Sequence, residues 1–225
     1  MIIAIDGPSG AGKSTLGKML AKKLGLLYLD TGAMYRAVAL AVIRTGFDFS
    51  DNEKVAEIAE KAKIDLIGEP DALKILLDGI EVTGEIRTLE IAQAASVVST
   101  NSEVRKVMVR HQREIGNAAP KGCVLEGRDI GSVVFPDADI KFFLTAKPEA
   151  RARRRFEEDK AKGRVSTYEQ TLAEINERDE RDVSRADSPL TIAEDAVVID
   201  TSELDLTEVF EAMLAKISEQ KASAA

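Results

Sequence analysis

The sequence predicts an α/β fold with a mostly parallel sheet. Two observations carry that expectation. Short apolar runs of β type alternate with stretches of helical periodicity along the 225 residues. The first run, residues 2–5, leads straight into a glycine-rich turn and then a helix.

The elements follow in order. Leu16, Met19, Leu20, Ala21 and Leu24 stand at helical spacing over residues 13–24, and Gly25 stops that helix. Residues 26–29 form a second strand. A second helix spans about 33–44 and ends at Gly46. Val55, Ile58, Ala59 and Ala62 share one face of a third helix over 51–62. The pattern then changes. Residues 64–67, 73–77 and 80–82 are short β-type runs, with turn signals at Glu69-Pro70-Asp71 and Asp78-Gly79. They predict a small antiparallel sheet inserted at about 63–85. Helix resumes over 88–117, with a capped restart near Thr100-Asn101. Residues 123–126 and 140–144 return to buried-type strands. Pro148 opens a charged helix that ends near Gly163, and a second charged helix covers 168–183. A last strand at 196–199 and an amphipathic helix at 206–217 complete the frame. Residues 218–225 read as a frayed end.

Composition limits the function. The net charge of −8 argues against a general nucleic-acid binder, which needs surplus Lys and Arg. The one cysteine, Cys123, lies in an apolar run and excludes a disulfide framework. The N-terminal residues lack a basic segment followed by a long apolar one, and no apolar run approaches the ~20 residues that span a bilayer. The expectation is a cytoplasmic, monomeric protein with no nucleic-acid or membrane partner. His111, the single histidine, sits among Arg110, Gln112 and Arg113 and reads as a surface or partly packed residue.

Gly7, Pro8, Ser9, Gly10, Ala11, Gly12, Lys13 and Ser14 match G-x-x-x-x-G-K-[ST] between a strand and a helix, with Thr15 next. Glycines let backbone N–H groups turn inward as a nest for phosphate oxygens. The helix N-terminus adds its positive end. Lys13 is suited to the β- and γ-phosphates of ATP, and the Ser14 hydroxyl to Mg²⁺. The motif reports nucleotide binding and little else.

Other strand ends carry the discrimination. Asp30-Thr31-Gly32 lies between the second strand and second helix, with Arg36 on that helix's first turns. A helix N-terminus beside an Arg makes a second anion site; helix capping by Asp30 and Thr31 is the plainer alternative. Glu126-Gly127-Arg128-Asp129 also ends a strand, and Asp129 could instead cap the turn before Phe135-Pro136. Ligands of open α/β sheets sit outside the carboxyl ends of strands, so the three sites converge. Arg178, Arg181, Asp182 and Arg185 follow spacing 3, 1, 3, which puts them on one helix face. That face is either solvated or a mobile arginine surface that closes over two bound phosphates. Arg151, Arg154 and Arg155 share a second face, which serves either local pairing with the acids at 157–159 or a lid that brings Arg to a transferring phosphoryl group.

Taken together, G-P-S-G-A-G-K-S, D-T-G-A-M-Y-R, D-G-I-E-V-T-G-E-I-R, E-G-R-D-I-G-S-V-V-F-P-D-A and E-R-D-E-R-D-x-x-R resemble the bacterial cytidylate kinases, in order and over about residues 2–215. The resemblance implies an adenylate-kinase-like P-loop fold: a parallel five-stranded core (about 1–35, 118–147 and 186–218), a monophosphate-binding lobe with the inserted sheet (about 36–117) and a helical lid (about 148–185). It implies Mg²⁺-dependent transfer of the ATP γ-phosphate to CMP or dCMP. It places Thr31, Arg36 and Arg128 at the acceptor phosphate, and Ser96, Arg105 and Asp129 at the cytosine. Arg178 and Asp182 would lie near ribose and phosphate, and Arg185 would complete the closed site. Lys13, Arg128, Arg178 and Arg185 would be the catalytic cations. Chemistry supports Asp129 separately, because a carboxylate accepts from the cytosine N4 amine and is repelled by the uracil carbonyl. In the family residue 31 is often Ser and residue 14 often Gly, which leaves open how directly residue 14 meets Mg²⁺.

Overall fold

The computed structural model describes residues 1–161 and 163–223. Its centre is a five-stranded parallel sheet of β1 (Ile2–Asp6), β2 (Leu27–Asp30), β6 (Cys123–Gly127), β7 (Ile140–Thr145) and β8 (Val197–Asp200), in the order β2-β6-β1-β7-β8. β1 pairs with β6 from Ile2↔Cys123 to Asp6↔Gly127, and with β7 from Ile3↔Ile140. Strands buried on both faces should read as continuous apolar runs; Ile3, Ala4, Ile5, Val124, Leu125, Phe142 and Leu144 are all buried.

Helices cover the sheet. They are α1 (Lys13–Leu24), α2 (Thr31–Thr45), α3 (Asn52–Lys61), α4 (Leu89–Val98), α5 (Ser102–Ala118), α6 (Pro148–Ala161), α7 (Tyr168–Ser184) and α8 (Leu206–Ser223). Between α3 and α4 lies the expected antiparallel sheet, β3 (Ile64–Ile67), β4 (Lys74–Leu77) and β5 (Ile80–Glu81). Its Asp78-Gly79 turn has φ of 52° and 81°, the left-handed pair of a tight hairpin. The restart near residue 101 is a cap: Asn101 accepts from the backbone of Glu103 and Val104 at 3.0 and 3.3 Å.

Several boundaries differ from the expectation. α2 starts at Thr31, two residues early, because Asp30 caps it and accepts from Ala33 N at 2.9 Å. β2 and β8 each sit one residue further along the chain than expected. The end read as frayed is helical through Ser223, since α8 continues past Ile217 with a Lys216–Glu219 pair at 2.7 Å; residues 224 and 225 lie outside the described residues. Residues 130–134 form a single π-turn that periodicity did not suggest.

Candidate functional site

The site is built where strands end. β1, β2 and β6 stop side by side, so the loops after them open at one edge of the sheet. Together with α4, α6 and α7 they enclose a cleft of about 880 Å³. Every site residue expected from the sequence lines it except Gly7 and Pro8. Those two shape the loop from behind. Gly7 has φ +145°, and a Cβ there would lie 2.0 Å from the Leu144 carbonyl oxygen. Pro8 lends its carbonyl to Lys13, whose Nζ donates to it at 2.7 Å.

The loop ends at Gly12, with φ +92°, and α1 begins at Lys13. No side chain caps this helix, and no acidic residue sits in its first turn. Its N–H groups therefore keep their attraction for an anion. Burial, then the Arg128 guanidinium, pushes the Lys13 pKa well below the usual lysine value. Glu126 is its counterweight. That carboxylate is buried and accepts from Tyr28 Oη at 2.5 Å. Burial and then the charge of Asp30 raise its pKa, and the neighbouring Ser14 hydroxyl works against that rise. Glu126 was missed as a site residue. Its signal was its place at the end of a buried-type strand.

The opposite wall is arginine-rich. Thr31 Oγ1 donates to the Glu126 carbonyl at 2.6 Å. Arg36, on α2, is half-buried, and burial lowers its pKa. Arg128 Nε donates to Asp182 Oδ2 at 2.7 Å, which holds it charged against its burial. Arg178 has a buried Nε without a hydrogen-bond partner. Burial, then Arg128, pushes its pKa down to about 9. Arg185 donates to the Ser188 carbonyl at 2.6 Å and leaves Nη2 buried and unpartnered. Buried cations with open donors make an arrangement that a multiply charged anion completes. Deeper in, Arg105 and Asp129 form a buried ion pair, and Arg105 lies 5.7 Å from the Tyr35 ring centre. Asp6, at the end of β1, fixes the turn behind Asp129 by accepting from Ile130 N and Gly131 N at 2.8 and 2.7 Å.

Two sequence readings need correction. Arg178, Arg181, Asp182 and Arg185 do not share one helix face. α7 ends at Ser184, and Arg185 is extended, with ψ 144°. Arg181 turns sideways to α4, where Nη1 donates to Ser96 Oγ at 2.6 Å. The face of Arg151, Arg154 and Arg155 also divides. Arg154 and Arg155 line the cleft. Arg151 is buried as a tie, donating to Ala146 O at 2.9 Å, Ser9 O at 3.1 Å and Asp179 at 2.6 Å. Arg87 and Arg164 line the cleft as well, and no periodic pattern singled them out.

A phosphate loop facing a second cationic wall across one cleft, at the edge of a parallel sheet, defines a P-loop kinase. The comparisons narrow this. A family model described as cytidylate kinase matches residues 3–219. The cytidylate kinase of Caldanaerobacter subterraneus subsp. tengcongensis is 54% identical over 209 residues, covering 93% of this chain and 91% of that one. That of Geobacter sp. strain M21 is 47% identical over 222 residues, covering 99% and 94%. That of Bacillus subtilis strain 168 is 45% identical over 219 residues, covering 97% and 96%. Among solved structures, an uncharacterized protein from Eubacterium ventriosum aligns with a TM-score of 0.55 at 13% identity, covering 97% of this chain and 98% of that one, and shares the fold. The chain belongs to the cytidylate kinase family.

Proposed function

We propose that the chain transfers the γ-phosphate of ATP to CMP or dCMP, giving ADP and CDP or dCDP, with Mg²⁺. One observation carries this reading: the phosphate loop and the Arg36, Arg128, Arg178 and Arg185 cluster face each other in a cleft that also holds the Arg105–Asp129 pair. ATP enters along residues 7–15, with Lys13 at its terminal phosphates. The acceptor phosphate meets Thr31, Arg36 and Arg128, while Ser96, Arg105 and Asp129 face the base. Arg178, Asp182 and Arg185 close over ribose and phosphate. An acceptor phosphate oxygen is already an anion, so no general base is required. Catalysis is alignment of two phosphates and neutralisation of charge as one moves.

The residues fit Mg²⁺. An ion shared with substrate phosphates takes only one or two ligands from the protein. Ser14 is exposed to the cleft, and Glu126 is the carboxylate beside it. Ser14, with Glu126 near it, would hold the ion against the substrate phosphates, and the ion would supply positive charge that neutralises them.

The reading divides the chain into a core (about 1–35, 118–147 and 186–218), an acceptor lobe (about 36–117) and a lid (about 148–185). It takes the protein as a cytoplasmic monomer without nucleic-acid or membrane partners. The single cysteine is buried. No helix among the described residues is long and apolar enough to cross a membrane. The test is ADP release with CMP, dCMP, UMP, AMP and shikimate offered in parallel, with and without Mg²⁺. CMP and dCMP should be the best acceptors, and preference for any other sinks the reading.

A further inference from the structure

We infer that Arg181, which does not line the cleft, is a positioning residue for the acceptor base: it holds the Ser96 hydroxyl in place and makes lid closure depend on the base site. This rests on the acceptor reading above. Arg181 Nη1 donates to Ser96 Oγ at 2.6 Å, and Nη2 donates to Glu177 Oε1 at 2.6 Å. The Glu177 pair is one turn away on the same helix and fixes the orientation of the guanidinium fork. Ser96 is 5% exposed and lines the cleft. A guanidinium only donates, so this bond consumes one lone pair of Ser96 Oγ. The oxygen is held still, and its second lone pair and its proton remain for a base. The bond also joins the two walls of the acceptor site. α4 carries Ser96, and α7 carries Arg178 and Asp182. A shift of Ser96 therefore alters where the lid helix docks, and with it the cations over the phosphate.

The experiment compares wild type, Arg181→Ala, Arg181→Lys, Ser96→Ala and the Ser96→Ala/Arg181→Ala double variant. Rates with CMP and UMP, the KM for ATP and thermal unfolding are measured for each. Arg181→Ala should lower kcat/KM for CMP about tenfold, the usual scale for a lost charge-assisted hydrogen bond. It should lower that for UMP less, and leave the KM for ATP unmoved. Arg181→Lys should keep part of the discrimination. The double variant should be no worse than Ser96→Ala alone, because both lesions break one bond. A CMP-to-UMP ratio unchanged in folded Arg181→Ala overturns the inference, as do fully additive losses. If wild type phosphorylates neither CMP nor dCMP, the acceptor reading fails instead, which separates the two failures.

Discussion

In the proposed function, Asp129 is the carboxylate that chooses the base. It is buried against Arg105, so an Asp129→Asn change keeps the shape and removes the charge. We expect kcat/KM for CMP to fall on the order of 10- to 100-fold, the scale of a lost charged hydrogen bond, and that for UMP to fall less. Steady-state rates with both acceptors check this; equal losses would leave Asp129 no part in base choice. Asp6 makes a second residue-scale prediction. Burial pushes its pKa up to about 6. A carboxylate with a raised folded-state pKa binds its proton more readily in the native than in the unfolded chain. Between about pH 4 and 6 the native state therefore holds the extra proton, and the stability contributed by this group falls as pH rises through that window. Asp6→Asn does not titrate. Acidifying from pH 7 to 5 should shift the stability difference in favour of wild type by about 1 kcal/mol, measured by urea unfolding at each pH.

At the scale of elements, α7 carries the cations of the proposed lid but is short of buried apolar contacts; Thr171, Ile175 and Asp182 are its buried residues. It relies on its ends. Thr167 caps it, accepting from Gln170 N at 3.2 Å, and Gln170 Oε1 accepts from Thr167 N at 3.1 Å. Thr167→Ala should cost about 1 kcal/mol locally. Amide exchange in the first turn of α7 should then quicken about fivefold, and an unchanged rate would mean the cap contributes nothing. This helix also marks the limit of what the sequence conveys. Its charges at spacing 3, 1, 3 allowed either a solvated face or a functional one, yet Arg181 and Arg185 left the face. One was drawn off by Ser96 of a neighbouring helix, and the other lies past the helix end. Helix periodicity knows neither of these. By contrast, the motif at Gly7 to Ser14 is local, and the loop forms as expected. The order β2-β6-β1-β7-β8 was beyond reach, because crossover connections rather than adjacent residues decide which parallel strands pair. Glu126 was legible as a strand end; its partnership with Tyr28 spans 98 residues and could not be read from spacing.

For the whole molecule, the notable contact joins the proposed lid to the proposed lobe away from the core. Arg164 pairs with Asp159 at 2.8 Å and donates to the Arg87 carbonyl at 2.9 Å. The neighbouring Val165 is fully exposed. Closure over two nucleotides should shield this stretch. Trypsin cleavage after Arg164, followed by mass spectrometry, should slow when ATP and CMP are added together. Equal rates with and without nucleotides would mean the segment does not take part in closure.

The Arg105–Asp129 pair has one more consequence. In the proposed function, a base entering the cleft meets an Arg105 and an Asp129 that already hold each other. Recognition is an exchange of partners. A base with the right edge satisfies both charges as it parts them. A base with half the right edge strands a desolvated ion. On that proposal, each base competes with a partner that the protein supplies itself, in the floor of the site.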